Sequence, residues 1–191
     1  MKMKIETTDP FSTDKKSAHE MEKARRKNAS LRILVVDDFL TMRATTRSLL
    51  KELGCLNVDE AHDGQAAWQK VCAMRYDLVI TDNNMPKMHG ITLIEKIRAR
   101  EETKNLAVVM ITAEKTRDVV LHAGRLELSD FILKPYSPAV FARRIGAVLG
   151  NLASRKVLVE QAPVVQPADP ADSAADAQEA VQEDEQTAQA A

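Results

Sequence analysis

Five short apolar runs alternate with segments in which hydrophobic residues recur at helical spacing. A run of this length is too short for a buried helix and is typical of a buried strand. The predicted strands are 31–36, 57–61, 77–81, 106–112 and 130–133. The helical patterns that follow them cover 40–53, 65–75, 91–100, 117–126 and 138–153. The pattern therefore predicts five strand–helix units in series.

Most of these strands are apolar at consecutive positions instead of alternate ones, as in LRILVV at 31–36 and LAVVMIT at 106–112. Consecutive apolar positions are typical of parallel strands that are buried on both faces. The predicted fold class is α/β, with a five-stranded parallel sheet, helices on both faces and doubly wound connections. Ligands of such sheets bind beyond the carboxyl ends of the strands. Functional side chains are therefore expected directly after residues 36, 81, 112 and 133.

Polar side chains occupy all four of these positions: Asp37 and Asp38, Asp82, Thr112, and Lys134. Carboxylates that meet at one edge of a sheet repel one another unless a cation lies among them. Ligation by Asp oxygens without His or Cys favours a hard divalent cation, and Mg²⁺ suits a site of carboxylates and phosphate. A lysine can pair with Asp82 and then with a phosphoryl oxygen, to which a threonine hydroxyl can also donate. An aspartate nucleophile, a metal ion and a lysine together meet the needs of phosphoryl transfer.

Composition and charge divide the chain into three parts. Residues 1–29 are predicted to be a charged extension, partly helical or disordered, and residues 30–153 to be the folded domain. Residues 154–191 form an acidic tail rich in Ala, Gln and Pro. Residues 160–191 contain eight Asp or Glu and no Lys or Arg. The tail is therefore predicted to be disordered. Residues 31–159 carry a net charge of only +4, which does not favour nucleic-acid binding.

Two cysteines, Cys55 and Cys72, lie beside apolar residues without a CxxC pattern, so both are expected to be buried, reduced thiols. Residues 1–30 contain no apolar run of the length that a secretory signal needs. Stretches of about 18 consecutive apolar residues, which a transmembrane helix requires, are also absent from the sequence. A cytoplasmic location without membrane insertion is expected.

Four stretches resemble the motifs of bacterial response-regulator receiver domains, and within that family the single-domain, CheY-like chemotaxis regulators. They are VVDDFLTMR (35–43), DLVITDNNMPKMHG (77–90), VMITAE (109–114) and FILKPY (131–136). The motifs agree in identity, order and spacing, and the resemblance covers about residues 30–152. It implies a flavodoxin-like fold and a phosphoacceptor protein that catalyses only its own phosphorylation and dephosphorylation.

The resemblance also implies roles for the residues at the strand ends. Asp82 would accept a phosphoryl group from a sensor histidine kinase, one of chemotaxis type. Asp37, Asp38 and Asp82 would bind Mg²⁺ together with the backbone carbonyl of Asn84. Lys134 would contact the phosphoryl group.

A switch is implied as well. Thr112 would move toward the phosphoryl group and Phe131 would follow it, altering the face formed by 117–126, 130–133 and 138–153. That face would bind a downstream protein such as a flagellar motor switch component. Three features depart from the family: Phe131 replaces a common Tyr, the segment RLELSD (125–130) lacks the usual Gly-Ala, and His89 stands where an acidic residue is common.

Three other functions compete with this hypothesis. A phosphate sink or kinase-docking receiver without a motor target would use the same site, and the sequence hardly separates it from the first. A DNA-binding regulator would need a helix-turn-helix after about residue 155, where the chain has an acidic tail. An aspartyl-phosphate phosphatase usually has a second Asp two residues after its nucleophile, and this chain has Asn84 there.

Overall fold

The computed structural model describes residues 12–114 and 117–160. Helices and strands alternate along them, as the apolar pattern predicts. Their order is α1 (Ser12–Asn28), β1 (Arg32–Val36), α2 (Leu40–Glu52), β2 (Asn57–Ala61), α3 (Gly64–Ala73), β3 (Leu78–Thr81), α4 (Gly90–Ala99), β4 (Ala107–Thr112), α5 (Arg117–Arg125), β5 (Asp130–Leu133) and α6 (Pro138–Glu160).

The five strands form one parallel sheet in the order β2-β1-β3-β4-β5. This arrangement confirms the predicted fold class. From β1 the chain goes to β2, which lies along one edge of β1, and then returns to β3, which lies along the other edge. The direction in which strands are added therefore reverses at β1. Val36 of β1 is the register partner of Thr81 of β3. The carboxyl ends of these two strands are therefore level at the place where ligands of doubly wound sheets bind.

Two apolar clusters cover the two faces of the sheet. Alternate residues of β1 point to opposite faces, so Ile33 and Val35 join one cluster and Leu34 and Val36 the other. The first cluster is completed by buried side chains of α2 and α6, namely Leu50, Phe141, Ile145, Val148 and Leu149. The second is completed by α3 and α4 through Ala67, Val71, Leu93, Ile94 and Ile97. Each fully buried Leu or Ile contributes about 1.5–3 kcal/mol to folding.

Helix α1 lies within the predicted N-terminal extension and is attached at its C-terminal end. The buried Asn28 donates from Nδ2 to the carbonyl of Leu53, with a donor–acceptor distance of 2.8 Å. Asn57 Nδ2 donates to the carbonyl of Ala29 at 2.8 Å. A Cβ on Gly54 would lie 2.7 Å from the Cα of Arg25, so the chain passes this helix too closely for a side chain. The side chains of residues 19–27 are exposed.

The last helix is longer than predicted. α6 continues to Glu160 instead of ending at residue 153, because the sequence has neither Gly nor Pro between Ala153 and Pro163 to stop it. The predicted disordered tail therefore begins inside this helix, and its residues 161–191 lie outside the described residues, as do residues 1–11 of the extension. No helix in the described part of the chain has the length and apolar character needed to cross a bilayer.

The prediction that both cysteines are buried is wrong for one of them. Cys55 is buried in the first cluster, and burial raises the pKa of its thiol to about 11. Cys72 is exposed on α3. Its neighbour Val71 faces the core, and one residue turns an α-helix by about 100°, so Cys72 points away from the sheet. Both thiols are free.

Candidate functional site

The strand ends bring three of the predicted residues into direct contact. Asp82 N donates to the carbonyl of Val36 at 2.8 Å, which sets Asp82 beside Asp37 at the edge of the sheet. Lys134 N donates to the carbonyl of Thr112 at 2.8 Å and so follows β5 toward the same edge. From there Lys134 Nζ reaches Asp37 Oδ2 at 2.9 Å and Asp82 Oδ1 at 3.3 Å.

The lysine and both aspartates are largely withdrawn from water. The exposed fraction of the Lys134 side chain is 18%, and that of each aspartate side chain is 9%. Two carboxylates so close together repel each other, and the ammonium group between them offsets that repulsion. Removing one partner from such a group leaves a buried charge without compensation.

Burial and neighbouring charges alter the acid–base behaviour of this group. Burial raises the pKa of Asp82, and the charge of Asp37 adds to this, while Lys134 opposes it; the net pKa is raised. Burial lowers the pKa of Lys134, but its hydrogen bond to Asp37 and the charges of Asp82 and Asp37 outweigh that effect and leave the pKa raised. Lys134 therefore stays protonated, and Asp82 is more basic than a carboxylate in water.

The oxygen atoms around Asp82 suit a hard divalent cation. Asp38 Oδ1 is buried and lacks a hydrogen-bond partner among the described residues, although a buried carboxylate oxygen normally has one. No three His, Cys, Asp or Glu side chains within 12–114 and 117–160 are grouped so as to enclose a metal. Mg²⁺ does not need such a cage, since it commonly takes one or two carboxylates and fills its remaining positions with water and phosphate oxygens. The residues therefore fit Mg²⁺.

The loop after Asp82 is held by the side chain of Asn83, a residue that the sequence pattern did not single out. Asn83 Nδ2 donates to Glu114 Oε2 at 2.7 Å, and Asn83 Oδ1 accepts from the backbone N–H of Ile91 at 3.1 Å. A Cβ on Gly90 would lie 2.2 Å from the carbonyl oxygen of Asp82. Only a glycine allows the start of α4 to pack this closely against the loop.

A second clamp on this loop joins Lys87 to Asp63. Lys87 has a φ of 64°, and its Nζ donates to Asp63 Oδ2 at 2.7 Å. Asp63 is fully buried and also caps α3, because its Oδ1 accepts from the backbone N–H of Ala66 at 2.7 Å. An Asp-Gly pair directly before a helical pattern is a capping signal, so this cap was readable from the sequence, whereas its bond to Lys87 was not.

Lys87 also determines the ionisation of Asp63. Burial raises the pKa of this carboxyl group. The hydrogen bond from Lys87, the backbone N–H of Ala66 and the positive charges of Lys87 and His62 together outweigh burial and hold the pKa below its usual value. Asp63 is therefore a charged side chain in the folded protein down to acidic pH.

The two predicted switch residues occupy different positions. Thr112 is fully buried at the end of β4, and its Oγ1 accepts from the backbone N–H of Glu114 at 3.1 Å. Phe131 lies on β5 opposite Met110 and packs, partly buried, against the second apolar cluster. The carbonyl of Phe131 accepts from Arg144 of α6 at 3.2 Å, and the same guanidinium group pairs with Asp130.

A side chain from α4 binds the middle of the unusual segment 125–130. The Arg98 guanidinium donates to four backbone carbonyls at 2.8–3.0 Å. Two of them, on Leu126 and Glu127, belong to this segment, and two, on Lys104 and Leu106, belong to the loop before β4. Glu127 has a φ of 51°, a backbone conformation that favours glycine.

Comparison with known proteins agrees with this architecture. The family profile of the response regulator receiver domain matches residues 33–145. A chemotaxis protein CheY-3 of Vibrio cholerae is 41% identical over 125 residues, which are 65% of this chain and 96% of the relative. A chemotaxis protein CheY of Pseudomonas aeruginosa is 40% identical over 115 residues, 60% of this chain and 93% of the relative. The solved structure of CheY4 of Vibrio cholerae matches with a TM-score of 0.57 and 26% identity, over 62% of this chain and 98% of that one.

Proposed function

The chain belongs to the response-regulator receiver family of two-component signalling, and on that premise we propose that it accepts a phosphoryl group on Asp82 from a histidine kinase. The observation that carries the proposal is the Asp37–Lys134–Asp82 group at the switch point of the sheet. The relatives are chemotaxis proteins by name, so the proposed pathway is chemotaxis signalling in the cytoplasm.

In the proposed reaction an Asp82 carboxylate oxygen attacks the phosphorus of a phosphohistidine. The new P–O bond forms as the P–N bond breaks, and the electron pair of that bond returns to the imidazole nitrogen. Lys134, whose Nζ lies 3.3 Å from Asp82 Oδ1, would pair with a phosphoryl oxygen once phosphorylation has removed the charge of the aspartate.

The proposed cofactor is Mg²⁺, held directly or through water by Asp37, Asp38 and Asp82 and by the backbone carbonyl of Asn84. When bound, the ion would neutralise negative charge on the transferring phosphoryl oxygens. The buried Asp38 Oδ1 without a hydrogen-bond partner in the described residues supports this assignment, because a cation would satisfy it.

The proposed readout is a change on the surface formed by α5, β5 and α6. Thr112 would exchange its bond with the Glu114 N–H for one with the phosphoryl group, and Phe131 would follow. Leu121 of α5 and Leu133 of β5 are among the exposed large hydrophobic residues of the described chain. Exposed apolar side chains suit a surface that binds another protein, here a downstream target such as a flagellar motor switch component.

The test is the uptake of phosphoryl groups from acetyl phosphate, or from a phosphorylated kinase, with and without Mg²⁺. We expect one phosphoryl group per chain that is labile to alkali and hydroxylamine, dependent on Mg²⁺ and absent from Asp82→Ala. Glu52→Gln, which removes an exposed carboxylate from the far end of α2, is the matched control and should behave as wild type. Equal uptake by Asp82→Ala would overturn the assignment. A pull-down with phosphorylated and unphosphorylated protein would then separate a regulated target-binding protein from a phosphate sink.

A further inference from the structure

Arg43 is the last residue of the stretch VVDDFLTMR, and the proposed phosphoryl transfer gives it no role. It lies in the first turn of α2, and only 13% of its side chain is exposed. Its Nη1 donates to the backbone carbonyl of Asp37 at 2.8 Å and to that of Asp38 at 3.3 Å. One guanidinium group therefore holds the short connection between β1 and α2, which carries two of the proposed Mg²⁺ ligands.

A neighbouring strand fixes the guanidinium group itself. Arg43 Nε donates to Glu60 Oε2 of β2 at 3.2 Å, and Glu60 is the register partner of Val35 in β1. The Glu60 side chain is 26% exposed, so this ion pair is partly shielded from water. Arginine can bind one carboxylate and two carbonyls at once because its N–H groups diverge in a rigid plane. Arg43 thus ties the connection after β1 to the strand beside it.

The two aspartates of this connection are held to different degrees. Asp37 Oδ1 accepts from the backbone N–H of Phe39 at 2.9 Å, and Asp37 Oδ2 accepts from Lys134 at 2.9 Å. Asp38 Oδ1, in contrast, is buried without a hydrogen-bond partner among the described residues. Its position therefore depends on the backbone that carries it, and Arg43 is bonded to the carbonyl oxygen of that same residue.

We propose that Arg43 is a positioning residue for Mg²⁺, which fixes the backbone of Asp37 and Asp38 so that the Asp38 carboxylate is presented to the ion. The inference rests on the proposed function, in which both aspartates bind Mg²⁺. Replacing a group that orients metal ligands typically weakens metal binding by about 10–100-fold. The positive charge of Arg43 acts in the opposite direction, because a nearby cation repels Mg²⁺. A substitution that keeps the charge therefore isolates the effect of geometry.

Arg43→Lys is such a substitution. Lysine keeps the charge, but its compact ammonium group cannot bridge one carboxylate and two carbonyls as the planar guanidinium group does. Arg47→Lys is the matched control, because Arg47 Nη1 pairs with the same Glu60 carboxylate at 3.3 Å from a position one helical turn farther along α2. Glu60→Gln is a second and milder probe, since it weakens the anchor of Arg43 and keeps Arg43 itself.

The experiment measures the binding of Mg²⁺ to the unphosphorylated full-length chain by isothermal titration calorimetry, with urea unfolding followed by Trp68 fluorescence to establish that each variant is folded. We expect Arg43→Lys to raise the Kd for Mg²⁺ about tenfold, Glu60→Gln to raise it less, and Arg47→Lys to leave it unchanged. In the Arg43→Lys background, Glu60→Gln should have no further effect, because its influence on the ion passes through Arg43.

The uptake of phosphoryl groups from acetyl phosphate gives a second readout. Arg43→Lys should need about tenfold more Mg²⁺ than wild type for half-maximal uptake, in line with its weaker binding of the ion. At saturating Mg²⁺ its rate of uptake should equal that of wild type, because a positioning role toward the ion leaves the transfer itself unaltered.

Unchanged or tighter binding of Mg²⁺ by folded Arg43→Lys and Glu60→Gln would overturn the proposal. So would an equal loss in Arg47→Lys, since the loss would then come from the charges around Glu60. If wild type binds Mg²⁺ and Asp38→Ala weakens that binding, either result rejects the role of Arg43 and leaves the proposed Mg²⁺ site intact. Failure of wild type to bind Mg²⁺, or equal binding by Asp38→Ala, rejects both.

Discussion

Replacing Asp63 tests the clamp between the start of α3 and the loop after Asp82. Asp63→Ala removes the cap on Ala66 N and the bond to Lys87 Nζ, which are 2.7 Å long each. Asp63→Asn keeps one oxygen for the cap and replaces the other by an amide group that cannot accept from Lys87. The two variants therefore divide the contribution of Asp63 into a capping part and an ionic part.

The structure sets the size of each part. Loss of an N-cap costs about 1 kcal/mol. The ionic part is limited because the Lys87 side chain is 57% exposed, although that of Asp63 is only 1% exposed, and a pair with one partner in water contributes about 0.5–1 kcal/mol. Asp63→Ala should then lower the free energy of unfolding by about 2 kcal/mol and Asp63→Asn by about 1 kcal/mol. In a chain of this size, 1 kcal/mol shifts Tm by about 2–4 °C.

Urea unfolding followed by fluorescence is the assay, since Trp68, on α3 five residues after Asp63, is the single tryptophan of the chain. Lys87→Met provides the partner variant for a double-mutant cycle, and the coupling between the two sites should equal the ionic part. The pKa of Asp63 is lowered in the folded state. Its ionic contribution is therefore present above the unfolded pKa of about 3.9 and is lost as pH falls through the lower folded value.

Three results would contradict this reasoning. Asp63→Asn could destabilise as much as Asp63→Ala, which would mean that the cap contributes nothing. The cycle with Lys87→Met could show no coupling. The difference between wild type and Asp63→Asn could persist or grow at acidic pH, whereas an ion pair that loses its charged carboxylate must weaken there.

Two further substitutions test the backbone and the charged group at the sheet edge. Glu127→Gly should stabilise the fold by up to about 1 kcal/mol in urea unfolding, because its φ of 51° favours glycine. Lys87→Gly, at a φ of 64°, should not stabilise the fold, since it also loses its ion pair. A lower urea midpoint for Glu127→Gly than for wild type would contradict the argument. Lys134→Met should destabilise by about 3 kcal/mol at neutral pH by leaving Asp37 and Asp82 without their cation, and added Mg²⁺ should restore more stability to this variant than to wild type. Equal Mg²⁺ effects on both proteins would count against a shared cation site.

The strands were predicted closely because their signal is local. The predicted strands 57–61 and 130–133 coincide with β2 and β5, and the other three begin one residue later than predicted. The ends and buried faces of helices were predicted less accurately than the strands: α6 continues past residue 153, and Cys72 points outward. A run of apolar residues shows that a segment is buried, but the residue at which a helix ends depends on a stop signal. Whether one side chain on a helix is buried or exposed depends on its angle about the helix axis.

The contact of Asp37, Asp82 and Lys134 could be predicted because parallel strands end at one edge of a sheet. The bond from Asn83 to Glu114 could not, because it joins two loops that are 31 residues apart in the chain. Such a bond depends on the path of both loops, and local sequence patterns do not specify it. The same limit applies to the ion pair between Lys87 and Asp63, which lie 24 residues apart.

The hold of Arg98 on backbone carbonyls has a consequence for how this protein can change over evolution. Every peptide unit has a carbonyl oxygen whatever its side chain, so the Leu126 and Glu127 bonds to Arg98 would survive most replacements at those two positions. The path at residues 126 and 127 therefore does not depend on the side chains of these two residues for its bonds to Arg98, although Leu126 and Leu128 also pack against the second apolar cluster and Asp130 pairs with Arg144. A deletion would move the carbonyls out of reach and break that path. Segment length and Arg98 should be maintained among descendants of this chain, whereas the exposed positions Glu127 and Ser129 are freer to diverge.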